Sequence, residues 1–232
     1  MARKDRKQIF QLQSRSLVSM LTPRSPIAEQ YRTIRTNIQF STVDEEITSM
    51  IVTSAGPGEG KSTTAANLAV VFAQQGKKVL FIDGDLRKPT AHYTFKVDNH
   101  VGLTNVLTKQ TSLAQAAKYS DQENLYLLTS GPIPPNPAEL LASKGMRQLI
   151  EDAKREYDLI LFDTPPVLVV TDAQILSNAV DGVVLVVSSG KTELESAKKA
   201  KDALDQAQAK ILGTVLNNKK QQDQQYYYYA AK

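Results

Sequence analysis

Cysteine and tryptophan are absent from the 232 residues, and histidine occurs only at His92 and His100. Without cysteine there is no disulfide scaffold, thiol nucleophile, iron–sulfur cluster or thiolate zinc site. Two histidines are too few for a multi-histidine metal site. No segment approaches the ~18 consecutive apolar residues of a membrane span, and the basic start is not followed by the apolar stretch of a secretory signal. These absences set the expectation of a cytoplasmic protein. The hydrophobic content of 41% is enough to bury a sizeable core.

Charge is unevenly placed. Of 28 basic and 24 acidic residues, six (Arg3, Lys4, Arg6, Lys7, Arg15 and Arg24) and one (Asp5) fall within residues 1–25, leaving 22 and 23 elsewhere. The basic character therefore belongs to the N-terminal segment. Such a segment either stays solvated and disordered or lies on an anionic membrane surface or a partner protein. Nucleic acid binding by the nearly neutral remainder is not expected.

Continuous apolar runs alternate with helical patterns from residue 49 onward. Met50–Thr53, Val79–Ile82, Leu125–Thr129, Leu159–Phe162, Val183–Val187 and Ile211–Leu216 read as strands. Helices are expected over 63–75, stopped by Gly76, then over 147–157 and 193–208. This order predicts an α/β fold, doubly wound around a mostly parallel sheet, with ligands beyond the carboxyl ends of the strands. Before it, Ile27, Tyr31, Ile34 and Ile38 form one stripe of a helix over about 26–40, with Ser25 as cap and Pro26 in its first turn. The expected organisation is a flexible basic leader over 1–24, one domain over 25–217, and a flexible tail over 218–232.

The first strand runs into Ala55-Gly56-Pro57-Gly58-Glu59-Gly60-Lys61-Ser62, followed by Thr63 and a helix. This is a Walker A loop with Ala in place of the first Gly, so the fold expected is that of a P-loop NTPase. Glycines let backbone N–H groups turn toward phosphate oxygens. Lys61 would reach the β- and γ-phosphates of ATP, and the Ser62 hydroxyl would ligate Mg²⁺. Two later strands end in acids: Asp83 and Asp85 after the second, Asp163 after another. Carboxylates at strand ends beside a P-loop suit a Mg²⁺–ATP site, one serving the metal and one accepting a proton from the attacking hydroxyl. Which of Asp83 and Asp85 takes the proton stays open.

These motifs resemble the Walker A (Ala55–Thr63), Walker A′ (Leu80–Asp85) and Walker B (Leu159–Asp163) elements of the bacterial tyrosine kinases. Asp85-Leu86-Arg87-Lys88-Pro89, Gly131-Pro132-Ile133-Pro134-Pro135-Asn136-Pro137 and Asp163-Thr164-Pro165-Pro166 extend the likeness, which is closest to the Gram-positive type with a separate membrane activator. The resemblance implies an ATP-dependent protein-tyrosine kinase acting in capsule or exopolysaccharide synthesis and on other cytoplasmic proteins. It implies Lys61, Asp83 and Asp85 as catalytic residues. Gly56, Gly58, Glu59, Gly60, Lys61, Ser62 and Thr63 would bind nucleotide, and Ser62, Asp85 and Asp163 would bind Mg²⁺. Asn217 would lie near the adenine, and Arg87 and Lys88 would approach phosphate or a partner subunit. Glu29, Arg32 and Arg35 fit E-x-x-R-x-x-R, linked in these kinases to ring-shaped self-assembly. Partition and division-site ATPases share the superfamily, but many carry a signature lysine where this chain has Gly56. The competing reading is a non-kinase P-loop ATPase that switches assembly or membrane docking.

Tyr226, Tyr227, Tyr228 and Tyr229 follow a polar run that cannot supply a core. The eight residues Asn218–Gln225 span up to ~28 Å when extended, enough to carry a tyrosine to a neighbouring subunit. By resemblance these four tyrosines are autophosphorylated between subunits. Each phosphate adds about −1.5 to −2 of charge, so full phosphorylation would reverse the net +4 and repel tails from one another.

Overall fold

The computed structural model describes residues 16–41 and 46–219. The basic stretch before residue 16 and the tyrosine cluster Tyr226–Tyr229 lie outside the described residues. The strands are β1 (Ser49–Ser54), β2 (Val79–Asp83), β3 (Lys118–Tyr119), β4 (Leu125–Leu128), β5 (Leu159–Asp163), β6 (Gly182–Ser188) and β7 (Ile211–Asn217). The helices are α1 (Val18–Leu21), α2 (Pro26–Phe40), α3 (Lys61–Gln74), α4 (Ala91–Phe95), α5 (Leu103–Leu107), α6 (Leu113–Ala116), α7 (Pro137–Leu141), α8 (Lys144–Lys154), α9 (Asp172–Ser177) and α10 (Leu194–Gln206).

Among the described residues the strands form one sheet in the order β3-β4-β2-β5-β1-β6-β7. Every pairing is parallel except that of β3 with β4. Side chains alternate across each strand and so divide the core in two. Ile51, Leu80, Ile82, Ile160, Phe162 and Leu185 face one layer, where α8, α9 and α10 cover them. Met50, Val52, Phe81, Leu161, Val184 and Val186 face the other, under α3 and the α2 residue Ile38. Both faces are covered, which is why the strands read as continuous apolar runs rather than alternating ones.

Local chemistry sets the helix ends. Ser25 Oγ accepts a hydrogen bond from Ala28 N at 3.2 Å and Pro26 opens α2, as the sequence leads one to expect. Gly76 ends α3 with φ of +96°, the left-handed conformation glycine adopts without strain. Two differences from expectation stand out. The helix expected at 147 begins at Lys144, because Ser143 Oγ accepts from Met146 N. Residues 16–24, assigned from composition to a flexible leader, are folded against the body. Leu17 and Ser19 are buried there. Ser19 N donates to Asn67 Oδ1 at 2.9 Å, Asn67 Nδ2 donates to Ser16 O at 3.0 Å, and Gln74 Nε2 donates to Ser19 O at 2.9 Å. Asn67 and Gln74 both belong to α3, so this segment is strapped along that helix.

Candidate active site

The carboxyl ends of β1, β2 and β5 lie side by side, because β5 sits between β1 and β2 in the sheet. The loop after β1 passes Gly56 to Gly60 and enters α3 at Lys61. Gly58 and Gly60 have φ of +71° and +96°, where a side chain would be strained. Ala55 is not among the positive-φ residues, which accounts for a methyl group where the motif usually has glycine. Space also demands Gly60: a Cβ there would stand 1.9 Å from Asn217 Nδ2.

Lys61 joins the three motifs. Its Nζ lies 3.0 Å from Ser62 Oγ, 3.2 Å from Asp163 Oδ1 and 3.6 Å from Asp85 Oδ2. The β2–β5 register pairs Asp83 directly with Asp163. Asp83 is fully buried, and its Oδ2 accepts from Thr90 N and Ala91 N, each at 2.9 Å. Burial first, then the neighbouring Asp163 charge, pushes its carboxyl up to about 7, against the pull of these two N–H donors. Asp85 Oδ1 accepts from Lys88 N at 3.0 Å. The loop between β2 and α4 is thus wound around its own two acids.

Three oxygens of two residue types converge on the Lys61 ammonium, which stands where a cation is favoured. They are hard donors of the kind Mg²⁺ takes, and Mg²⁺ commonly keeps waters and phosphate oxygens as its remaining ligands. Among the described residues no group of three His, Cys, Asp or Glu forms a metal cage by itself. The donor set therefore fits a metal that arrives with a polyphosphate better than a resident ion. The start of α3 points its unsatisfied N–H groups at the same place, an arrangement that favours anions.

The structure also places the remaining candidates. Glu59 is buried, and its Oε1 accepts from Thr192 Oγ1 at 2.7 Å. Thr63 occupies the first turn of α3. Asn217, at the end of β7, donates through Nδ2 to Glu59 O at 3.0 Å, so its amide braces the back of the phosphate loop. Glu29 and Arg32 pair on the exposed side of α2 at 2.6 Å. Arg35 turns inward instead and donates to Val71 O of α3 at 2.8 Å. The Arg87 guanidinium forms a fork with Asp172.

Two residues went unnoticed in the sequence. Lys191 Nζ donates to Pro57 O and Gly58 O, both at 3.0 Å, and Thr192 holds Glu59. Both lie in the turn just past β6. The rule that ligands gather beyond strand carboxyl ends points to that turn, but a Gly-Lys-Thr stretch there carries no motif of its own.

Comparison with known proteins agrees with this geometry. Residues 47–218 match the AAA domain family. The chain is 61% identical over 203 residues to the tyrosine-protein kinase YwqD of Bacillus subtilis, covering 88% of this chain and 86% of that one. It belongs to the bacterial tyrosine-protein kinases. A putative tyrosine-protein kinase of this family, CapB of Staphylococcus aureus, is 46% identical over 195 residues, covering 84% and 86% of the two chains. The solved kinase domain of the Escherichia coli tyrosine kinase ETK superposes with a TM-score of 0.86 at 33% identity, covering 94% of this chain and 86% of that one. The kinase fold is thus a P-loop nucleotide-binding fold, and among its described residues no helix is long and apolar enough to cross a membrane.

Proposed function

We propose that this kinase moves the γ-phosphate of ATP onto tyrosine hydroxyls, first those of Tyr226–Tyr229 on a neighbouring subunit and then those of other cytoplasmic proteins. The observation that carries this reading is the convergence of Ser62, Asp85 and Asp163 on the Lys61 ammonium, beside the buried Asp83. Phosphoryl transfer needs mainly positioning and charge stabilisation. Lys61 holds phosphate oxygens, the glycine loop offers its N–H groups, and Asp83 and Asp85 supply the acceptor for the tyrosine proton. Ser62, Asp85 and Asp163 would hold Mg²⁺, which when bound neutralises charge on the phosphates.

The supporting frame for trans transfer is the exposed Glu29–Arg32 pair on α2, a charged surface for a second copy in a ring. The biological setting proposed is capsule or exopolysaccharide synthesis at the inner face of the plasma membrane, with the cytoplasmic segment of a separate membrane activator completing the nucleotide site. Incubating the full chain with labelled Mg²⁺–ATP and that activator segment, then mapping phosphotyrosine by mass spectrometry, tests the proposal. Label on Tyr226–Tyr229 that disappears in Lys61→Met is expected. Release of phosphate to water with no phosphotyrosine would instead establish a switch ATPase.

A further inference from the structure

The loop between β2 and α4 owes its shape to its own acids. Asp83 Oδ2 accepts from Thr90 N and Ala91 N, Asp83 Oδ1 from Asp85 N at 3.3 Å, and Asp85 Oδ1 from Lys88 N. Each acid is aimed only as well as this backbone is held. Leu86 anchors one point of the loop in the core. The next residue, Arg87, reaches out of the loop altogether.

Arg87 Nε donates to Asp172 Oδ2 at 2.9 Å and Nη2 donates to Oδ1 at 3.0 Å. Asp172 is fully buried and opens α9, just beyond the segment that follows Asp163. A bidentate guanidinium–carboxylate pair is directional as well as strong, because the planar fork fits two oxygens in one orientation. It fixes where residue 87 sits, and not merely a charge. Lys88, whose N–H aims Asp85, is the next link in the chain.

We propose that Arg87 and Asp172 are a positioning pair for phosphoryl transfer. They touch neither nucleotide nor tyrosine. Their role is to lock the loop after β2 onto α9 so that Asp85 and Asp83 face Lys61 and Asp163 in working register. The inference rests on the kinase reading above and adds two residues to it, one of them in a helix that no motif marks.

The phosphate loop with Lys61 and Ser62 lies on a different connection and Asp163 on another strand, so weakening the pair should leave ATP binding largely in place although Asp85 is one of the three residues that would hold Mg²⁺. Arg87→Lys keeps the charge opposite Asp172 but cannot form the fork, and it is the variant chosen to remain folded. A misplacement of about 1 Å at a reacting group costs roughly a hundredfold in rate. The expected result for Arg87→Lys on the full chain is a fall in kcat of about ten- to a hundredfold, with KM for ATP within about twofold. Asp172→Asn should fall comparably, and the double variant should be no worse than the poorer single one, as for two residues acting as a unit. Melting curves run alongside show that each variant is folded at the assay temperature. If Asp172→Asn is not, Arg87→Lys alone decides through its kcat and KM.

Two outcomes overturn the proposal: kcat of Arg87→Lys within twofold of the parent, or a KM for ATP that rises in step with the loss of rate. Both tyrosine labelling and phosphate release to water are read. Parent protein that releases phosphate but labels no tyrosine counts against the kinase reading. Equal phosphate release by parent and Arg87→Lys counts against the positioning pair.

Discussion

Asn217 Nδ2 occupies the space that a side chain on Gly60 would need, 1.9 Å from the position of its Cβ. The last strand of the sheet and the last glycine of the phosphate loop are therefore fitted to one another, although they lie far apart in the chain.

Gly60→Ala should lose nucleotide binding by tenfold or more, measured with a fluorescent ATP analogue. The φ of +96° alone costs a non-glycine residue about 1–2 kcal/mol, and the clash adds to it. Removing the amide with Asn217→Ala in the same chain should restore only part of the loss, because the backbone strain stays. Full restoration would show that the clash is the whole effect.

Lys61→Met should leave less than about one part in a hundred of the parent's transfer rate, as expected when a cation at a phosphate is removed. It should also weaken the fold. Asp163 is almost wholly buried and would lose its only ion-pair partner among the described residues, a change that costs about 3 kcal/mol in buried settings. Urea unfolding of the variant measures this; unchanged stability would mean that water reaches Asp163 freely.

Lys191→Ala removes two donors to the carbonyls of Pro57 and Gly58. A loss of about 1 kcal/mol in organising the loop corresponds to roughly fivefold weaker ATP binding, with kcat little changed. Nucleotide titration by calorimetry gives the answer, and an unaltered affinity would show that the loop holds its shape without the lysine.

Acid stability should depend on Asp181. Its Oδ2 accepts from Thr48 N, Thr48 Oγ1 and Ser49 N at the start of β1, and its Oδ1 accepts from Lys154 Nζ. Burial pushes the carboxyl up, but Lys154 and the Thr48 donors outweigh it and bring it down to about 2 from an ordinary 3.8. A carboxyl lower in the folded state stabilises fully above the unfolded value, and that stabilisation is lost as pH falls from about 4 toward 2. Asp181→Asn should cost about 1–2 kcal/mol at pH 7, allowing for partial exposure. It should also lose less than the parent between pH 4 and 2. Urea midpoints at pH 7, 4 and 2.5 for both proteins check this, and parallel acid losses would refute it.

What the sequence makes legible here is what is local. The glycines of the phosphate loop, the acids at strand ends, and the Ser25-Pro26 start of α2 each carry their signal within a few residues. The two-residue β3 has no room for a periodic pattern, and its antiparallel pairing depends on β4 alone. Asp172 gives no sign of its pairing, because its partner Arg87 is 85 positions away and only the sheet order brings them together. The buried end of the segment before α2 is hidden for a similar reason. Its apolar residues Leu17, Val18, Met20 and Leu21 sit in a run too short to show a period, behind a basic stretch, and the holding contacts come from Asn67 and Gln74 on α3.

That strap has a mechanical side. A load applied to the chain ahead of Ser16 is delivered first to Ser16 and Ser19, and through their bonds to Asn67 on α3. The same helix begins at Lys61. The N-terminal segment is therefore moored to the middle and the end of the helix that carries Lys61 at its start.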